Sequence, residues 1–307
     1  MLTPLAALAA DAMLGEPPSA WHPVVWFGRA ARSLERRSYR PSISFGAAHT
    51  AVLVGGAWLV GVGARRLMGR AVADVAAGAI SIAGAMLASE VAGVAAALES
   101  GDLELARFRV SRIVGRETSS LDDSGVARAA VESLAENTVD AVTAPLCWLA
   151  IGGAPGVLAH RAINTLDAMI GHRDDRYDRF GRAAARADDV VAWAPARLTA
   201  LVVGLARPTR YRTVWSTIRR DADVHPSPNG GVVESAFAGA LGITLGGVNR
   251  YGSVVEDRGT LGDGPAPTSV DLREAITLAR QVWWITAVLV CTGRLLARID
   301  RSFSPRR

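Results

Sequence analysis

The chain has 307 residues, of which half are hydrophobic and only 21% charged, with a mean hydropathy of +0.22 and a net charge of +5. Those values are unusual for a soluble enzyme and point to a membrane protein, and two cysteines exclude a disulfide framework. All basic charge is arginine, since no lysine occurs, so a P-loop lysine is excluded and any phosphate must meet arginine, metal or backbone N–H.

Met1–Leu14 lacks a basic leading region, holds Asp11 and runs into Gly15-Glu16-Pro17-Pro18. It reads as a short first membrane helix or an interfacial one, not as a cleavable signal. The first polar block, Asp11–Arg29, contains His22-Pro23; one His-Pro is an ordinary turn, but a second at His225-Pro226 suggests that both histidines face one pocket. Arg29, Arg32, Arg36, Arg37 and Arg40 precede the apolar run Ala47–Ala64. Arginines flanking such a run mark a cytoplasmic membrane face, so the sequence pI near 10 points to a lipid bilayer as partner and not to nucleic acid. Ala71–Leu98 follows, broken only by Asp74 and Glu90. Both runs reach the ~20 residues that a helix needs to cross a bilayer. Gly55, Gly56, Gly61, Gly63, Gly84 and Gly93 predict close helix approach.

The second polar block, Val114–Asp140, predicts a helix capped by Ser120 or Asp122. Glu132, Glu136 and Asp140 recur every four residues and drift only ~80° around that helix, forming one acidic stripe with Asn137 beside it. Such a stripe needs neutralising, either by Mg²⁺ or by a salt-bridge network with Arg128 as partner. Ala141–Ala159 is apolar but holds Pro145 and Pro155. In the third block, Asn164 and Asp167 lie one turn apart in an otherwise apolar helix, where an unpaired carboxylate is expensive. Asp174-Asp175-Arg176-Tyr177-Asp178 matches a D-D-x-x-D pattern, although a surface loop is the simpler reading. Val190–Ala206 holds Pro195. Two full spans here would strand the third block on the far side, so both proline-bearing segments are expected to dip in and return, or to stay buried in protein.

The fourth block, Asp221–Tyr251, holds His225-Pro226-Ser227-Pro228, which cannot run as helix interior, and Asn229-Gly230-Gly231 before an apolar run. Such a rigid polar turn suits an anionic or metal-bound substrate. Ser253–Ser269 reads as a mobile loop, Gln281–Ala297 as a last span and Arg301–Arg307 as a frayed tail. Cys147 and Cys291 sit in apolar runs as buried hydrophobes. Strand signals are weak. The expected architecture is an all-α, polytopic membrane helical bundle, one integral-membrane domain over 1–307, with four to six spans, proline-broken segments and polar connecting blocks.

Several stretches carry a resemblance when read together. They are His22-Pro23-Val24 with Gly28, Val114-Gly115-Arg116-Glu117-Thr118-Ser119, and Val131-Glu132-Ser133-Leu134-Ala135-Glu136-Asn137-Thr138-Val139-Asp140. Arg161-Ala162-Ile163-Asn164-Thr165-Leu166-Asp167, Arg176-Tyr177 with Phe180-Gly181, Ala187-Asp188-Asp189 and Pro195-Ala196-Arg197 follow. Asp221-Ala222 with His225-Pro226-Ser227-Pro228-Asn229, and Leu245-Gly246-Gly247-Val248-Asn249-Arg250-Tyr251, complete the series. In this order they resemble the adenosylcobinamide-phosphate synthase (CobD/CbiB) family of cobalamin biosynthesis, over nearly the whole chain. The resemblance implies a multi-pass inner-membrane ligase with its active site on the cytoplasmic side. It would use ATP and Mg²⁺ to join the corrinoid adenosylcobyric acid to (R)-1-amino-2-propanol or its O-phosphate, and it leaves a homo-oligomer open. On that reading Glu132, Glu136, Asp140 and Asp167 hold Mg²⁺–ATP, and Arg116, Arg161 and Arg197 neutralise phosphate oxygens. His225 serves as base, and His22, Glu117, Asn137, Asn164, Asp221, Ser227, Asn229 and Asn249 bind substrate or nucleotide. Two other classes compete: a Mg²⁺-dependent membrane prenyltransferase and a small-solute transporter.

Overall fold

A computed structural model describes residues 2–303 except Ser19, Arg173, Gly252 and Ser253. Twelve helices and one hairpin are seen among these: α1 (Thr3–Leu14), α2 (Pro23–Ser38), α3 (Ile43–Met68), α4 (Arg70–Ser81), α5 (Gly84–Glu99), α6 (Leu103–Val110), α7 (Asp123–Thr138), α8 (Ala144–Ile170), α9 (Arg182–Ala206), α10 (Tyr211–Asp221), α11 (Gly230–Leu241), β1 (Leu245–Tyr251), β2 (Val254–Leu261) and α12 (Ser269–Phe303). The protein is thus all-helical apart from one two-stranded antiparallel sheet. Among the described residues five helical stretches are long and apolar enough to cross a membrane: 43–68, 70–99, 123–170, 182–206 and 269–297. Each contains one of the apolar runs read from the sequence, and together they make this a multi-pass membrane protein. The chain gathers into two compact units, residues 1–83, 140–192 and 286–307 in the first, and 84–139 and 193–285 in the second.

In the first unit, glycines do set helix contacts, but selectively. A Cβ on Gly46 would strike the Phe180 backbone, one on Gly61 the backbone of Ala154 and Pro155, and one on Gly78 the side chains of Ala7 and Leu149. Gly55, Gly56 and Gly63 face open space instead. Phe180, fully buried, anchors a core with Ala31, Leu166, Ile170 and Ala184. The prolines act differently from one another. Pro145 sits in the first turn of α8 and cannot donate to the Ala141 carbonyl four residues back, which accepts the Ala83 N–H at 3.0 Å. Pro155 follows Gly153, whose φ of 62° breaks α8. Asp74, 3% exposed, accepts the N–H of Ala154 at 2.8 Å at that break and pairs with Arg65 at 2.7 Å. Its place in an apolar run is thereby explained as a cap plus a buried ion pair. Pro195, in the second unit, leaves its own carbonyl to the Thr199 hydroxyl, 2.8 Å away.

The D-D-x-x-D segment is a turn. Asp174 accepts the N–H groups of Arg176 and Tyr177 at 3.0 and 2.7 Å. Arg176 donates to buried Glu35 at 2.8 Å and lies over the Tyr39 ring, so this segment is stapled to α2.

In the second unit α10 and α11 pack as a helical hairpin, and α11 is buried almost throughout. Gly239 lets it approach the backbone of Val214 on α10. Within Ser253–Ser269, expected as a mobile loop, residues 254–261 form β2, paired with β1 from Leu245↔Leu261 to Tyr251↔Val254. Leu245 and Leu261 are 1% and 0% exposed, an apolar pair that seats the hairpin. Gly246, Gly247 and Gly259 have positive φ, and the register shifts between Gly246 and Val248. Glycines and a bulge interrupt the β-branched alternation that betrays a strand. The tail expectation falls largely on residues 304–307, outside the described residues.

Candidate functional site

The second unit contains a buried polar cluster assembled from two of the sequence blocks and the hairpin. Asp122 caps α7 by accepting the Gly125 N–H at 2.7 Å, and α7 then projects Glu132 inward. Arg116, 8% exposed, donates through one Nη to Glu132 and through the other to Asn249 on β1. Glu132 Oε1 also accepts the Gly246 N–H at 2.7 Å, and Arg128 on α7 donates to the Gly246 carbonyl. The guanidinium therefore ties α7 to the hairpin, while Glu117 ties in the preceding loop through its N–H to the Arg250 carbonyl at 2.8 Å. Asn249 Nδ2 is buried without a hydrogen-bond partner among the described residues.

Against this cluster stands His225. Its Nδ1 lies 3.1 Å from the Ser227 N–H and 3.2 Å from the Ser227 carbonyl. Its Nε2 lies 3.4 Å from Glu234 Oε1 and 3.5 Å from an Arg258 Nη. Gly230 makes room for the ring, since a Cβ there would press on His225 Cε1, and a Cβ on Gly231 would strike the Ala222 carbonyl and His225 Cβ. Both His225 and Glu234 side chains are 1% exposed. Burial pushes the Glu234 carboxyl well above its usual range, and Glu132 and Glu136 reinforce this. Burial holds the His225 imidazole below its usual value, with Arg258 acting in the same direction and the Ser227 backbone opposing. The distance is that of an ion pair, but the surroundings push both groups towards their uncharged forms.

Three further groups from the fourth block are held locally. Asn229 Oδ1 accepts from Arg197 at 2.6 Å, and the same guanidinium donates to the Pro228 carbonyl and lies over Trp193. Asp221 accepts the Gly262 N–H at 2.8 Å and pairs with Arg220, whose hydrogen bonds hold its carboxyl below the usual range. Ser227 Oγ accepts the Gly230 N–H, and Asn137 donates to the Ser133 carbonyl four residues back.

The first unit holds the other predicted residues. His22 caps α2 through Nδ1, accepting the Val24 N–H at 3.2 Å, with Glu16 3.8 Å from Nε2. Arg161 donates to Asn164 Oδ1 at 3.3 Å, and Asn164 donates to Asp140 at 3.1 Å. Asp167 lies on the same helix and accepts the Gly171 N–H through its carbonyl.

The α-helical spacing that aligns the acidic stripe ends at Thr138, because residues 139–143 form a π-helical turn. Glu132 and Glu136 belong to the second unit and Asp140 to the first. Among the described residues no group of three His, Cys, Asp or Glu side chains gathers to hold a metal ion. Glu132 is taken by Arg116, whereas Glu136 is exposed.

Sequence reasoning gave no site role to Glu234, the last residue of the polar turn Asp221–Glu234, or to Arg258. Glu234 is a lone carboxylate in an apolar helix, the very signal that singled out Asp167. Arg258 lay hidden in the stretch read as a loop.

The chain matches the family profile described as CobD/Cbib protein over residues 4–279. It is 46% identical over 285 residues to the "Cobalamin biosynthesis protein CobD" of Mycobacterium tuberculosis, covering 91% of each chain. The protein of the same name from Chromobacterium violaceum is 42% identical over 303 residues, covering 94% of this chain and 95% of its own. That from Rhodobacter capsulatus is 41% identical over 292 residues, covering 90% and 91%. No solved structure matches. With a profile match over most of its length and relatives this similar end to end, the chain belongs to the CobD/CbiB family.

Proposed function

We propose that this chain is a membrane-embedded ligase of cobalamin biosynthesis that joins adenosylcobyric acid to (R)-1-amino-2-propanol or its O-phosphate at the expense of ATP, giving adenosylcobinamide or its phosphate. Relatives named for cobalamin biosynthesis support the pathway. The observation that carries the chemistry is the buried Arg116–Glu132–Asn249 arrangement beside His225 and Glu234.

A carboxylate is a poor electrophile. Its attack on the ATP γ-phosphoryl would give an acyl phosphate and ADP. Attack by the neutral amine on that carbonyl would then release phosphate and form the amide. Such a reaction needs charge neutralisation and positioning more than covalent help from the protein. Arg116 and Arg197 are the guanidiniums we assign to anionic oxygens, with Asn249 and Asn229 fixing their orientation. Burial lowers the His225 pKa, which favours the unprotonated imidazole that a base for the ammonium requires.

Mg²⁺ commonly binds through one or two carboxylates plus substrate phosphates. A three-carboxylate cage is therefore not required, and the ion would enter as part of the Mg²⁺–ATP substrate. Exposed Glu136 is the carboxylate best placed to meet it in the second unit. Asp140 with Asn164, and Asp167, offer the same donor chemistry in the first.

The test is ADP release by purified protein supplied with adenosylcobyric acid and either aminopropanol or its phosphate, with the corrinoid product weighed by mass spectrometry. ADP formation dependent on both substrates, with the matching mass gain, is expected. Absence of any corrinoid mass change with either amine sinks the reading.

A further inference from the structure

We propose that the first unit binds an anionic membrane phospholipid, one acyl chain lying in a groove walled by α2, α3 and α8 and the head-group phosphate meeting Arg161. The groove has a volume of about 460 Å³, within the range of ligand sites, and Phe27, Leu53, Gly56 and Leu158 are among its apolar walls. Arg161 and Ser81 also line it.

Those two polar groups decide the class of occupant. Ser81 is 1% exposed, and its Oγ has no hydrogen-bond partner among the described residues. Arg161 uses an Nη on Asn164, but its Nε is buried and likewise without a partner. The Glu16 and Asp140 carboxylates act electrostatically on Arg161, but buried donors without a hydrogen-bond partner are costly, and inside a bilayer no water relieves them. The groove walls on α3 and α8 belong to stretches long and apolar enough to cross a membrane. The occupant must therefore be apolar along most of its length yet present anionic oxygens to a guanidinium and a hydroxyl. A phosphodiester head with an acyl tail satisfies both demands, and arginine is the side chain best suited to phosphate. A helix from a second copy is too wide, at 10–12 Å across with side chains, to enter such a crevice. A water-soluble substrate would set its polar groups against hydrocarbon walls. The proposal does not depend on the reaction proposed above.

Adjacent glycines supply a matched test. A Cβ on Gly55 or on Gly56 meets nothing within 4 Å, yet only Gly56 lines the groove. Protein is purified in mild detergent, and bound phosphatidylglycerol and phosphatidylcholine are counted by native mass spectrometry after titration with each. Wild type and Gly55→Trp should hold phosphatidylglycerol at least tenfold more tightly than phosphatidylcholine. Gly56→Trp and the neighbouring Ala57→Phe should lose at least tenfold in phosphatidylglycerol affinity, and Arg161→Gln should lose the preference for the anionic lipid. If Gly56→Trp does not purify as a monodisperse species, Ala57→Phe decides. Undiminished phosphatidylglycerol binding by a groove-filling variant, or equal affinity of wild type for both lipids (an adventitious additive only), overturns the proposal.

Discussion

Glu234 shows how strongly surroundings override a side chain's nominal charge. The carboxyl lies in a fully packed helix, and burial raises its pKa, with Glu132 and Glu136 adding repulsion. In the unfolded chain the group ionises near pH 4.3. Above that value the unfolded state sheds a proton that the native state keeps, so native stability falls as pH rises towards the folded pKa. Glu234→Gln, neutral at every pH, escapes this loss. It should match the wild type near pH 4 and exceed it in stability at pH 8. Unfolding titrations in mixed micelles at the two pH values measure this, and a Gln variant less stable than wild type at pH 8 contradicts a raised Glu234 pKa. Arg116 presents the opposite case, a buried cation whose partners are Glu132 and Asn249. Arg116→Met leaves Glu132 buried with only the Gly246 N–H and the more distant Arg128, and should cost about 3–5 kcal/mol. Arg116→Met/Glu132→Met removes both charges and should recover most of that loss. A single-variant cost below about 1 kcal/mol would show that the pair does not bind α7 to the hairpin.

At the scale of elements, the helices were legible because hydrophobic runs of this length permit little else in a membrane. What the sequence did not reveal is which small residues touch. Gly61 and Gly63 look alike in the string, yet one abuts the break in α8 and the other faces outward. Contact depends on the phase of α3 against α8, and glycine-rich helices have too weak an apolar moment to fix that phase. Gly61→Leu must push α3 away from Pro155, whereas Gly63→Leu meets nothing. The first should lower the melting temperature by several degrees or abolish folding, and the second should change it by no more than a degree or two, both read by thermal scanning in detergent. Equal effects would refute the packing of α3 on α8. The acidic stripe was legible only as far as Glu136, because an α-helical wheel cannot foresee the π turn at 139–143. The hairpin was missed for a related reason. Its glycines and bulge erase the period of two, and its stability comes from Leu245 and Leu261 and from contacts with α7, which are distant in sequence.

For the whole molecule, the open question raised by the sequence is which polar blocks share a side of the membrane. The second unit answers this for the second and fourth blocks. The Glu117 N–H donates to the Arg250 carbonyl, and Arg116 bridges Glu132 on α7 to Asn249 on β1, so the loop before α7 and the hairpin are one local structure. Ser120 and Asp257 are both exposed on it. Native Cys147 and Cys291 can be replaced by alanine to give a background without thiols. Single cysteines at Ser120 and at Asp257 should then react with a membrane-impermeant maleimide from the same side. If the proposed ligase draws ATP from the cytoplasm, both positions should label in inverted vesicles and stay protected in intact cells. Labelling of both from outside would leave the fold intact but remove the nucleotide supply. Labelling from opposite sides would break the joined structure of loop and hairpin, and with it the buried cluster on which the chemistry rests.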